Sequence, residues 1–102
     1  MAYSIEITPN AGRQLRKLPA NVRNSLAVAV DSLADNPHPT GAAKITGVEH
    51  CWRIRVGDFR IVYQVRNKDL LVLVVRLGDR KEVYKDMVAL RKALASWESS
   101  RK

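Results

Sequence analysis

Apolar and polar positions along the chain change period several times, and each change marks an element. Tyr3-Ser-Ile-Glu-Ile-Thr8 alternates and is rich in strand formers, which predicts a first strand. Thr8-Pro9 supplies an N-cap hydroxyl followed by proline at the first helical position. A short helix should therefore run to about Leu18, with Leu15 and Leu18 turned inward. Pro19 breaks it and opens a second helix, in which Val22, Leu26, Ala29, Val30 and Leu33 recur at helical spacing and form one buried stripe. The two helices make a helical hairpin. Asn36-Pro-His-Pro-Thr-Gly41 ends it, and a loop is expected until about Glu49.

The next stretch reads as sheet. Cys51 to Val56, Phe59 to Arg66 and Leu70 to Leu77 predict three antiparallel strands, separated by Gly57-Asp58 and Asn67-Lys68-Asp69. Leu70-Leu-Val-Leu-Val-Val75 is almost continuously apolar, as expected of a central strand buried on both faces. After Gly78 comes a polar segment, Asp79-Arg80-Lys81-Glu82, and then a final helix over about 83–99. Its stripe of Val83, Met87, Leu90, Leu94 and Trp97 is expected to pack on the chain's own sheet. The order is strand, two helices, three strands, helix, an α+β fold. With no repeat, low-complexity segment or Gly/Ser linker, residues 1–102 are expected to form a single domain.

Composition narrows the chemistry. A chain of 102 residues with 46% apolar content can pack one core without staples. Cys51 is the lone cysteine, which excludes an intrachain disulfide and suits a reducing compartment. His50 and Cys51 are adjacent, so on a strand they point to opposite faces, and no Cys or His pair has zinc-site spacing. No metal or cofactor is expected. No stretch approaches the ~20 apolar residues that span a membrane. The first ten residues lack the charged start and apolar run of a secretory signal. A cytoplasmic protein that keeps clear of membranes is the expectation.

Charge supplies the first functional direction. Eighteen Lys plus Arg against ten Asp plus Glu give a formal charge of +8, a field that draws in polyanions such as nucleic acid or an acidic protein. The hairpin around Gly57-Asp58 concentrates that charge. Glycine suits the positive φ of a two-residue II′ turn. With that turn Val56 faces Phe59, Arg55 faces Arg60, and Ile54 faces Ile61. Arg53 and Arg55 then share a face with Arg60. A directly opposed like-charge pair costs roughly 0.2–1 kcal/mol in an unliganded sheet. It becomes a preformed clamp when phosphate binds, because each guanidinium donates two parallel hydrogen bonds and stays charged at any working pH. Some of these arginines could instead pair with Glu49, Asp58 or Asp69. Arg80 and Lys81 add charge on the loop at the strand ends.

Two blocks, Cys51-Trp-Arg-Ile-Arg-Val-Gly-Asp-Phe-Arg-Ile-Val-Tyr-Gln-Val65 and Leu77-Gly-Asp-Arg-Lys-Glu-Val-Tyr84, resemble the RelE toxins of type II toxin–antitoxin pairs. Met1-Ala-Tyr3 and Arg16-Lys-Leu-Pro19 do so as well, and the similarity covers about residues 2–92. The resemblance implies a RelE-like, microbial-RNase-like fold. It also implies a metal-independent endoribonuclease that enters the ribosomal A site and cuts messenger RNA, the 2′-OH attacking the neighbouring phosphate to leave a 2′,3′-cyclic phosphate. On this resemblance Arg53 and Arg55 occupy the two basic positions of the active site, and Arg60 matches the phosphate-binding arginine. Arg80 matches an arginine tied to transition-state charge, and Tyr84 a tyrosine that stacks on a base. Lys81 is a further substrate-binding candidate. The implied partners are a RelB-like antitoxin with acidic segments, which can cover or displace the last helix, and messenger and ribosomal RNA. The toxin would be monomeric alone and part of a hetero-oligomer with its antitoxin.

The chain departs from the best-known members in carrying arginine, not lysine, at 53 and 55. A lysine with a depressed pKa can take a proton as general base; arginine cannot. Either Arg55 acts by electrostatics and positioning, or the base is another group, for which Tyr84 and Asp79 are the candidates; His50 has no counterpart in the motif. Two rival functions share the fold or the face: a ParE-like inhibitor of DNA gyrase, and a module that binds RNA and leaves it intact.

Overall fold

The fold is that of a computed structural model that describes residues 2–79, 90–92 and 94–95. Strand β1 (Ser4–Ile7) leads into helix α1 (Pro9–Arg16) and helix α2 (Ala20–Ser32). A two-residue strand, β2 (Ala43–Lys44), precedes β3 (Cys51–Val56), β4 (Phe59–Arg66) and β5 (Leu71–Asp79). The strands form one mixed sheet in the order β1-β5-β4-β3-β2, with β1 parallel to β5 and the other neighbours antiparallel.

Thr8 makes the first corner. Its side chain accepts from Ala11 N at 3.2 Å, capping α1, while its own N–H donates to Val74 O at 3.0 Å. One residue thus satisfies an orphan helix donor and ties the helix start to the central strand. Pro9 occupies the first turn, where its missing N–H costs nothing. Arg13 and Arg16 fall in the last turn, where the helix dipole favours cations. Gln14 then docks α1 on the sheet by accepting from Leu77 N at 2.9 Å.

The helical hairpin covers one sheet face. Ala11, Leu26, Val30 and Leu33 pack with Ile54, Ile61, Tyr63, Val65, Val72, Val74 and Leu77, and Leu15, Leu18, Val22 and Ala29 border them. Tyr63 is fully buried and donates its hydroxyl to Pro37 O at 2.7 Å, which satisfies the one polar atom that burial would strand. On the other face Val48, Cys51, Val62, Leu73 and Val75 pack with Leu90 and Leu94. Residues 90–92 and 94–95 are helical, so this part of the last stripe packs on the sheet as its spacing predicts. Val83, Met87 and Trp97 lie outside the described residues. A sheet covered on both sides explains why β5 is buried from Leu71 to Leu77.

Three local readings need correction. The segment expected to be loop from Asn36 to Glu49 contains β2, which pairs Ala43 with Arg53 and Lys44 with Trp52. Two residues are too few to show an alternation. Leu70 lies outside the last strand: after a 3₁₀ turn at Asn67–Asp69 it takes φ 50°, in the left-handed region. The strand also runs on to Asp79, beyond the expected Leu77. Among the described residues no helix is long and apolar enough to cross a membrane.

Burial pushes the Cys51 thiol up to about 12, with Arg66 pulling weakly the other way, and burial likewise pushes the Tyr63 phenol to about 12. Both groups bind their protons more tightly in the folded chain. The unfolded chain loses them first as pH rises, so stability should fall from about pH 9 towards pH 12. At pH 8 a thiol reagent should label Cys51 only at the rate of unfolding. Rapid labelling of the native protein, or a flat urea midpoint from pH 8 to pH 11, would contradict this account of the core.

Candidate functional site

The site is built on the β3–β4 hairpin. Gly57 takes φ 60° in a two-residue turn with Asp58, a conformation that suits glycine. The turn fixes the register, pairing Val56 with Phe59, Arg55 with Arg60, Ile54 with Ile61 and Arg53 with Val62. Strand alternation then sorts the side chains. Trp52, Ile54 and Val56 border or enter the core beneath the helices. Arg53 and Arg55 point to the opposite face, together with Arg60.

Exposure differs along this face. Arg55 is exposed, Arg53 half-buried, and Arg60 only 7% exposed, its Nη1 donating to Phe59 O at 3.1 Å. Arg55 and Arg60 sit next to the pair that closes the hairpin. That position is non-hydrogen-bonded, with Cα atoms ~4.5 Å apart and side chains at their closest. Among the described residues no carboxylate pairs with Arg53, Arg55 or Arg60. Glu49 and Asp69 border a concavity at the other end of β4, with Gln64, Arg66 and Lys68. Among the described residues the like charges therefore stand opposed without a carboxylate partner, in a setting suited to an incoming anion.

A fourth arginine joins them that the sequence reading missed. The β4–β5 register shifts between Val62 and Tyr63: Val62 pairs with Arg76, Tyr63 with Val74, and Val75 is the extra residue of a bulge. Before the shift, Val72 and Val74 face the helices and Leu73 faces away. After it, Leu77 faces the helices, and Arg76 faces away with Val62. Strict alternation from Val72 would have sent Arg76 into the apolar core. The bulge re-aims it onto the cationic face, where it is 9% exposed. Gly78 follows, opposite Arg60.

The remaining candidates divide. Arg80, Lys81 and Tyr84 lie outside the described residues. Asp79 pairs with Phe59 and so shares the helix-side face, away from the arginines. His50, at φ 61°, belongs to the concavity at the far end of the sheet, and the fold separates it from Arg55 and Arg60. Among the described residues no group of three or more His, Cys, Asp and Glu could hold a metal ion.

Fold and charge together define a small basic α+β protein that presents a cationic sheet face. A family model of the ParE toxin of type II toxin–antitoxin systems matches residues 5–84. A RelE-like toxin protein of Escherichia coli is 33% identical over 88 residues, covering 82% of this chain and 92% of that one. The mRNA interferase toxin RelE of Escherichia coli K12 is 32% identical over 92 residues, covering 86% and 96%. Among solved structures, a free Escherichia coli RelE variant with two arginine-to-alanine changes superposes with a TM-score of 0.74 at 29% identity, covering 87% of this chain and 97% of that one. The intact Escherichia coli RelBE toxin–antitoxin complex gives 0.68 at 29% identity, covering 76% and 96%. The chain belongs to the RelE/ParE superfamily of type II toxin–antitoxin toxins.

The opposed pair has a measurable cost. Arg55→Thr should stabilise the fold by about 0.2–1 kcal/mol, toward the lower end because solvent and salt screen the exposed Arg55 side chain. The gain should shrink as salt rises. Urea unfolding at low and high salt measures it, and a loss of stability in Arg55→Thr would contradict the like-charge reading.

Proposed function

We propose that this chain is the toxin of a type II toxin–antitoxin pair and inhibits translation by cutting messenger RNA in the ribosomal A site. The observation that carries this reading is the Arg55–Arg60 pair, opposed on one sheet face without a carboxylate partner among the described residues. The relative at 32% identity named mRNA interferase supports it. A nuclease that uses the RNA's own 2′-OH as nucleophile has one main electrostatic task. It must stabilise the negative charge that builds on the phosphorane, and fixed guanidiniums do this at any working pH.

In this mechanism Arg55 and Arg60 hold the scissile phosphate, Arg53 binds the substrate backbone beside them, and Arg80 meets the charge developing towards the leaving oxygen. Lys81 adds to the field over the RNA backbone. Tyr84 stacks on a splayed base, a contact worth roughly 1–3 kcal/mol that tolerates many sequences. Arginine cannot serve as a general base, so Arg53 and Arg55 act by charge and position. With Asp79 on the helix-side face, Tyr84 is the alternative base that this reading keeps. The partner is a RelB-like antitoxin, in keeping with the RelBE complex among the structural relatives and with the charge of +8. The place of action is the cytoplasm.

The ParE family model favours one other reading, a toxin that binds DNA gyrase and cuts nothing. Induction followed by primer extension separates the two. The nuclease reading expects growth arrest and message ends clustered in frame within translated regions. Arg60→Ala or Arg80→Ala should relieve the arrest while the protein stays folded. Intact messages with broken DNA would establish the gyrase reading, and full toxicity in both variants would refute the site.

A further inference from the structure

The cationic face has two rows. Arg55, Arg60 and Gly78 form one across β3, β4 and β5; Arg53, Val62 and Arg76 form the next. Rows on one face of a strand are two residues, about 6.6–6.8 Å, apart. This is close to the separation of successive phosphates along a nucleic-acid strand. Arg76 is also the diagonal neighbour of Arg60 across the β4–β5 pair, within reach of a long side chain. Both are more than nine-tenths buried, which is rare for arginine. The bulge at Val75 is what puts Arg76 there, and bulges of this kind re-aim side chains beside functional sites.

From this geometry we infer that Arg76, with Arg53, forms a second phosphate subsite, which holds the phosphodiester next to the one that is cut. This inference rests on the RNA-cleaving reading above and assigns it a second contact along the substrate backbone. The first row meets the reacting phosphate. The second fixes the register of the chain, so that the 2′-OH and the scissile phosphate are held in line rather than merely near one another. Arginine again fits the task, since its fork binds two oxygens of a phosphodiester at once.

The test uses ribosomes programmed with a message whose A-site codon carries a single uncharged methylphosphonate, placed either 5′ or 3′ of the scissile linkage. Single-turnover cleavage is followed with wild type, Arg76→Gln and Arg76→Lys. One of the two placements should slow wild type roughly 10- to 100-fold, the loss expected for a charge-assisted contact. Arg76→Gln should slow cleavage of the native message by a similar factor and show no further loss on that methylphosphonate message. Arg76→Lys should recover part of the rate. Losses that multiply at both placements would overturn the subsite, because a purely structural Arg76 would leave the methylphosphonate effect intact. Indifference of wild type to both placements would overturn it too, whether or not Arg76→Gln folds. A wild-type protein that leaves the native message whole would instead refute the nuclease reading and take the subsite with it.

Discussion

A two-residue turn decides where the charge of this protein goes. Gly57 at φ 60° closes the β3–β4 hairpin in the one register that sets Arg55 against Arg60. One residue more in the turn would shift the pairing and oppose different side chains, because strand side chains alternate with a period of two. In the observed register the same alternation sends Trp52, Ile54 and Val56 to the helices and Arg53 and Arg55 to the other side. Core and cationic face are two consequences of one constraint. The apolar half holds the hairpin in place against the repulsion of the charged half. The repulsion is small, a few tenths to one kcal/mol, beside the burial of side chains such as Ile54 and Ile61, at about 1.5–3 kcal/mol each.

The rest of the sheet extends this division with one interruption. Tyr63, Val65, Val72 and Val74 continue the apolar side under α1 and α2, anchored by Thr8 at the start of α1 and by Gln14 on Leu77. On the other side the charge gives way, further along the strands, to a second apolar cluster in which Leu90 and Leu94 cover Cys51, Val62, Leu73 and Val75. Val62 is common to both regions: it packs in that cluster and lies between Arg53 and Arg76 in the register. Cationic site and last helical segment therefore share one sheet face. That places the chain's own packing, and any partner that competes for it, beside the arginines.

Much of this was legible because it follows from period and turn chemistry. The bounds of β3 and β4, the register of their hairpin and the shared face of three arginines come directly from alternation around Gly57-Asp58. The capped start of α1 comes from Thr8-Pro9. What escaped lacks a local signal. β2 is too short to alternate. The parallel pairing of β1 with β5 joins residues almost seventy positions apart. Arg76 was hidden by the near-continuous apolar run before it, in which either parity looks the same. The conflict shows only once Val74 and Leu77 are known to face the same side, which requires the bulge.

In the proposed function RNA is the polyanion, and the account stands on the claim that Arg55 and Arg60 act as one clamp on one phosphate. Single-turnover cleavage of the A-site codon on programmed ribosomes, at saturating toxin, tests this with Arg55→Gln, Arg60→Gln and the double variant. The account predicts a large fall in rate for each single change, a double loss well short of their product, and an unfolding midpoint no lower for Arg55→Gln than for wild type. Cleavage at the wild-type rate with both arginines replaced would contradict it.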